Sequence, residues 1–230
     1  NSGCADKAGF TSNTVPAIGK NKSLTVFTAS TVPNTASAAK VRAALGANAT
    51  KNADYFLTTL FPSNQLYIMD YNRVVKDLHG LTPTAFLEAV AKQFDVEQLS
   101  KEPFKPQALH EIGMYLNGSW YKLTAKPGSF TEDPIGVLDV TILQNNILDG
   151  ILGIADPRTD SRVDFVGGIR GLQVLADRVD SGQFAAAFSL YAVTIDQLFA
   201  IADTGNVMPP KSTWFEPKLR DGLLTHLIYE

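Results

Sequence analysis

Residues 112–123 read Ile112-Gly-Met-Tyr-Leu116, then Asn117-Gly118, then Ser119-Trp-Tyr-Lys-Leu123. Both central residues of a type I′ turn need positive φ, and Asn followed by Gly tolerates it best. The dipeptide therefore commits this stretch to a tight antiparallel hairpin, so any fold for the chain must contain a sheet. Trp120, Tyr115 and Tyr121 on its arms read as core and cross-strand pairs rather than as a stacking platform.

Helix signals interleave with that sheet. Thr82-Pro83 opens a helix, and Phe86, Leu87, Val90 and Phe94 recur at helical spacing behind it. Asp133-Pro134 opens another, carrying Ile135, Leu138, Ile142, Leu143 and Leu148 and closing at Gly150. Strands are predicted at 24–28, 55–60, 66–69, 163–166, 185–191 and 223–229, and further helices at 35–45, 169–179 and 195–202. Asp70-Tyr71-Asn72-Arg73 follows a strand and reads as a turn, with Arg73 a lesser anion candidate. The predicted class is α+β (mixed α/β), a mixed sheet with flanking helices and a hairpin near 112–123.

Composition excludes several functions. The 230 residues are 45% apolar and 19% charged, enough to bury a core. A net charge of −3 supplies no global basic field, so nucleic acid is disfavoured as a partner. The charge is uneven, however: residues 1–50 carry +4 and residues 51–230 carry −7. Cys4 stands alone, so neither an internal disulfide nor a cysteine zinc cluster is available. The longest apolar run, 184–193, is about half the ~20 residues a membrane helix needs. No signal peptide is read, and the expected location is cytoplasmic. The chain starts at Asn1 rather than Met and is read as a processed or truncated piece.

No phosphate-loop spacing, His-Glu-x-x-His or Gly-x-Ser-x-Gly is present, and His79, His110 and His226 are scattered, so no metal site is assigned. Three segments carry better signals. In Gly167-Gly168-Ile169-Arg170-Gly171, between a predicted strand and helix, the glycine pair lets backbone N–H groups approach a ligand, and Arg170 adds charge. The plainer alternative is a tight turn. In Met208-Pro-Pro-Lys211-Ser212-Thr213, two prolines stiffen the backbone beneath an ammonium and two hydroxyls, a contact set for phosphate. The alternative is a turn into an edge strand. Asp156-Pro-Arg-Thr-Asp160-Ser-Arg162-Val-Asp164 reads first as a solvated, salt-bridged loop. Its functional version makes Asp164 a metal or hydroxyl contact and Arg162 a phosphate clamp.

Together, the strings 56–62, Leu66-Tyr-Ile-Met-Asp-Tyr-Asn-Arg-Val-Val-Lys-Asp77, Gly113-Met-Tyr-Leu116, Trp120-Tyr121, Leu138-Asp-Val140, Asp156-Pro-Arg-Thr-Asp160, Asp164-Phe-Val-Gly-Gly-Ile-Arg-Gly171 and Val207-Met-Pro-Pro-Lys-Ser-Thr-Trp-Phe-Glu-Pro-Lys218 resemble the bacterial domain-of-unknown-function 1015 family. The resemblance runs from about Ala36 to the C-terminus. That family is distantly similar to free-serine kinases of the ParB/sulfiredoxin-like superfamily. The resemblance implies a kinase-like transfer from ATP or ADP, with Mg²⁺, to the hydroxyl of free serine. It would place Lys211, Ser212, Thr213, Gly167, Gly168, Arg170 and Arg162 on phosphate and leave Asp164 or Asp139 for metal or hydroxyl.

The family's Asp-Gly-His-His-Arg motif falls by spacing on Thr31-Val-Pro-Asn-Thr35, where none of its residue types is kept. The chain is therefore read as an unmatched stretch 1–35 with one possible strand and a C-terminal family portion 36–230; either it is a C-terminal fragment with a divergent start, or, the favoured reading, residues 1–35 are foreign to the domain, and without the motif the chain lacks part of the transfer machinery. The alternative is a non-catalytic module for a small anion or nucleotide, or a nucleic-acid-associated ParB-like module.

Overall fold

In the computed structural model, Asn117 and Gly118 take φ of 48° and 78°, as a type I′ turn demands. Strands β6 (Glu111–Leu116) and β7 (Ser119–Ala125) pair antiparallel across it, with Leu116 opposite Ser119 and Tyr115 opposite Trp120. The Tyr115 and Trp120 rings lie 5.3 Å apart and both are buried, the cross-strand pair expected of them.

The structure describes residues 24–26, 43–44, 46–48, 58–60, 66–216 and 218, and the chain divides into two compact units, 1–67 with 217–230, and 68–216. In the first unit β1 (Leu24–Val26) pairs antiparallel with β2 (Thr58–Leu60). These are the described parts of the strands expected at 24–28 and 55–60. Of the helix expected at 35–45, residues 43–44 are described, and they are helical. The strand expected at 223–229 lies outside the described residues.

The second unit is organised by six strands in the order β5-β7-β6-β9-β4-β8, where β4 is Tyr71–Val75, β5 Phe94–Gln98, β8 Val163–Gly167 and β9 Ala186–Leu190. The α+β class holds, and the sheet expected to be mixed pairs antiparallel throughout these six strands. Beside it β3 (Tyr67–Met69) pairs with β10 (Trp214–Glu216).

Four helices complete the unit: α1 (Pro83–Val90), α2 (Asp139–Leu143), α3 (Gln173–Asp180) and α4 (Ile195–Asp203). Thr82 caps α1 through the Ala85 amide, and Thr194 with Gln197 forms a capping box on α4. Period-2 alternation sends the two faces of the sheet into two cores. Val75, Ile112, Met114, Phe188 and Leu190 pack with α1, α2 and α4, while Val74, Tyr115, Val166 and Ala187 pack with α3.

Three local readings are corrected. Asp70-Tyr71-Asn72-Arg73 does not turn: its last three residues open β4, an interior strand between β9 and the edge strand β8. The Asn72 amide, which could have closed a local turn, bridges outward to the Leu190 amide on β9, with the Asp70 carboxylate at its other end. Phe94 is not on α1. That helix stops before it, and Phe94 enters the same core from the start of β5. The helix expected from Asp133 begins only at Asp139 and continues as a π-helical turn, Gln144–Asp149. The Asp133 carboxylate instead accepts the amides of Ile135 and Gly136, which closes a turn and delays the helix.

Gly113 sits where β6 meets β9, and a Cβ there would lie 2.2 Å from Ser189 Oγ and 3.0 Å from the Phe104 carbonyl. Gly113→Ala is expected to lower stability by about 1–3 kcal/mol through overpacking, read as an earlier midpoint in urea denaturation followed by circular dichroism.

Candidate anion-binding site

Arg73 shares the β4 face of Val75, which points into the larger core, and is only 2% exposed. Its Nη1 donates to the Tyr71 carbonyl and its Nη2 to the Lys211 carbonyl at 2.9 Å. The guanidinium lies 5.2 Å from the ring centre of Phe165, its partner across β8. Among the described residues no carboxylate pairs with it. Burial therefore lowers its pKa to about 9, with the Tyr71 hydroxyl pulling weakly the other way.

The Pro209-Pro210 turn delivers Lys211 to this place. Lys211 has a φ of 58°, a conformation a non-glycine residue adopts at a cost. Its carbonyl faces Arg73, and its ammonium lies 5.8 Å from the Tyr71 ring centre. Buried Ser212 donates its hydroxyl to the Pro209 carbonyl at 2.5 Å, which holds the turn closed. Tyr71 stacks on Phe165 at 5.9 Å and tilts against Trp214 at 5.6 Å, and Trp214 Nε1 donates to Glu216.

The glycine pair belongs to the same place, for reasons of space. A Cβ on Gly167 would stand 2.7 Å from the Trp214 ring, and one on Gly168 would stand 2.4 Å from the Asp70 carboxylate. The Gly168 amide donates to the Asp70 carbonyl at 2.9 Å, so this N–H is committed to the protein. Arg170 is exposed at the end of a short 3₁₀ turn, and half-buried Thr213 leads into β10.

Folding thus joins the Gly167-Gly168 and Lys211-Ser212-Thr213 segments around Tyr71, and makes Arg73, the lesser candidate in sequence, the centre. The legible signal was an arginine in phase with Val75 in the run Tyr-Asn-Arg-Val-Val.

The charged loop goes elsewhere. Arg162, at the far end of β8 from Gly167, binds Asp160 at 2.7 Å and the carbonyls of Leu152 and Gly153, so its guanidinium is occupied. Asp164 pairs with Arg178 of α3 at 2.7 Å. Partial burial pulls its carboxyl up, but the Arg178 and Phe165 hydrogen bonds outweigh this and leave it below the usual range. Asp156 and Arg158 form an exposed pair. A cavity of about 450 Å³ lies at the hairpin end, where its carboxylate, Asp180, already accepts the Tyr115 hydroxyl.

Asp139 lies at the start of α2 and is 4% exposed. Its Oδ1 accepts the His110 amide at 2.7 Å, and its Oδ2 is buried without a partner among the described residues, as is His110 Nε2. Burial raises the Asp139 pKa to about 7 against the opposing His110 hydrogen bond, with Glu111 adding to the rise. No group of three or more metal-binding side chains occurs among the described residues, and none of their helices is long and apolar enough to cross a membrane.

The model of a family described as protein of unknown function (DUF1015) matches residues 34–141. This takes in the 66–77 run and the hairpin and stops before the Gly167 and Lys211 segments. No curated protein matches. Among solved structures, a mutant free serine kinase in complex with AMP is similar at 10% identity and a TM-score of 0.43, over 70% of this chain and 59% of that chain. The free serine kinase without that substitution, also in complex with AMP, is similar at 11% identity and a TM-score of 0.41, over 66% and 55%. The chain thus spans less than two thirds of these proteins' lengths.

The raised Asp139 pKa carries a stability signature. Between the ordinary 3.8 and about 7 the folded state keeps a proton that the unfolded state has lost. This group's contribution is full below the ordinary value and is lost as pH rises towards 7. Asp139→Asn has no proton to lose, so its stability relative to the parent should grow by about 2 kcal/mol between pH 5 and pH 8. Urea melts at both values check it.

Proposed function

From a chain whose residues 34–141 match the DUF1015 family, we propose that the protein binds the phosphate groups of a nucleotide at Arg73 and Lys211 and takes part in kinase-like phosphoryl transfer. The observation that carries this reading is the buried guanidinium of Arg73, bonded to two carbonyls and, among the described residues, to no carboxylate, with the Lys211 ammonium 5.8 Å from the centre of the Tyr71 ring. Burying a cation without a counter-ion costs stability. An anionic ligand offsets that cost, and in a low-dielectric site its charge-assisted bonds are strong.

Phosphoryl transfer asks little covalent chemistry of a protein and depends on positioning and charge neutralisation. Arg73 and Lys211 supply the charge, while the stiff Pro-Pro turn and the stacked Tyr71, Phe165 and Trp214 hold them in place. A magnesium ion bound with nucleotide phosphates needs only one or two protein carboxylates. Asp70, buried beside Gly168, accepts the Asn72 side-chain amide on the other face of the sheet from Arg73 and does not fit that need. ATP or ADP is the proposed donor, and a small hydroxyl compound of the free-serine class is the proposed acceptor, as the family resemblance implies.

Trp214 reports on the site, and the other tryptophan, Trp120, is buried in the second core. Titration with ATP or ADP is expected to change tryptophan fluorescence. Arg73→Met should weaken binding by about tenfold to a hundredfold, the loss of one charged hydrogen-bonding group, and Lys211→Ala should weaken it less. Arg73→Met should also melt at or above the parent temperature, because an uncompensated buried cation is removed. Unchanged nucleotide affinity in Arg73→Met would sink this reading.

A further inference from the structure

Four buried side-chain polar atoms lack a partner among the described residues: His110 Nε2, Trp120 Nε1, Asp139 Oδ2 and Thr141 Oγ1. Two of them, His110 Nε2 and Asp139 Oδ2, belong to one junction, where the residue before β6 meets the start of the short α2. Buried polar atoms are nearly always paired, so a cluster of exceptions points to something that binds there. The junction is also strained. His110 has a φ of 68°, uncommon for a residue with a side chain, and in that conformation its amide meets Asp139 Oδ1 at 2.7 Å. One carboxylate oxygen is thereby anchored and the other is left without a bond. The His110 ring is fixed in turn by the Phe130 ring, 4.3 Å away between centres.

The junction and Arg73 occupy the same face and end of the sheet. Val140, Ile142 and Leu143 of α2 pack in the core that contains Val75, on the Arg73 side. Arg73, Phe188 and Met114 are level across β4, β9 and β6. His110 lies four residues before Met114, so it is about 13 Å further along and about 10 Å across from Arg73 at ordinary strand spacings. The Arg73 guanidinium, bonded to the Tyr71 carbonyl, reaches towards that same end.

We propose that the His110–Asp139 junction is the acceptor subsite of the phosphotransfer, and that Asp139 Oδ2 is the base that takes the acceptor's hydroxyl proton. This rests on the nucleotide reading of the Arg73 site. In the step, the acceptor O–H bond breaks as its oxygen bonds to the terminal phosphorus of ATP or ADP, and the proton passes to Asp139 Oδ2. The bond from that phosphorus to the bridging oxygen breaks, and the shortened nucleotide leaves with the electron pair. His110 Nε2 binds a polar group of the acceptor. The Asp139 pKa of about 7 suits a base at neutral pH.

The test uses the 230-residue chain with radiolabelled ATP or ADP and, as acceptors, L-serine, L-homoserine and glycerol. The parent should transfer label to at least one of them. Asp139→Asn, nearly isosteric and folded by circular dichroism, should lose at least about a hundredfold in transfer rate while its ATP and ADP affinities stay within about twofold by Trp214 fluorescence. His110→Phe keeps a ring against Phe130 and should raise the acceptor KM at least about fivefold with little change in kcat. Transfer by Asp139→Asn within threefold of the parent overturns the proposal. Nucleotide binding without transfer to any of the three acceptors also overturns it and leaves the Arg73 reading standing. No nucleotide binding removes both.

Discussion

A guanidinium withdrawn from water must be repaid by whatever surrounds it, and around Arg73 the repayment comes from three separate parts of the chain. Its own strand supplies the Tyr71 carbonyl, β8 supplies the Phe165 ring, and the Pro-Pro turn supplies the Lys211 carbonyl. Each accepts or faces the positive charge, and none neutralises it. The arrangement therefore ties β4, β8 and the 208–213 segment into one rigid corner while leaving the cation unmatched among the described residues. The positive φ of Lys211 is sustained because its carbonyl is needed at that corner. Stability and binding pull against each other here, as they commonly do at functional sites.

Close approach is the second constraint on that corner. The Trp214 ring and the Asp70 carboxylate occupy the space that side chains on Gly167 and Gly168 would fill. The glycines matter for what they leave out. Their absent side chains let the small sheet of β3 and β10 bring Trp214 against the end of the large one. On the opposite face Asn72 links Asp70 to the Leu190 amide, so the ends of β4 and β9 are held by side chains where the backbone ladder finishes. A few rungs along, the strained His110 anchors Asp139 in the same manner, through an amide aimed at one carboxylate oxygen.

Sequence reasoning did well where the cause of structure was local. The Asn-Gly turn and the helix opening at Thr82-Pro83 need only the residues beside them, and both form. It went wrong where one local preference competed with a distant partner. Asp70-Tyr-Asn-Arg has the composition of a turn, yet β8 and β9 flank it on both sides and draw it into the sheet. Phe94 keeps the helical spacing of Phe86 and Val90 because both routes lead to the same core. Asp133 shows the reverse case, since its carboxylate captures two amides and outcompetes the helix that the apolar spacing suggests.

The chemistry divides along the same line. The sequence by itself determined the hairpin, the α+β class, the glycine pair and the stiffened Lys-Ser-Thr segment, because turn chemistry, periodicity and backbone restriction act over a few residues. Only the tertiary structure decided which charges are spent. Arg162 and Asp164, read first as members of a salt-bridged loop and second as ligand contacts, are paired with Asp160 and Arg178. Arg73 looked like a surface turn residue and is buried against a carbonyl 138 positions away, with no acid bonded to it among the described residues. Desolvation and the choice of counter-ion depend on everything that packs around a group, and a sequence read by short-range rules carries no record of that company.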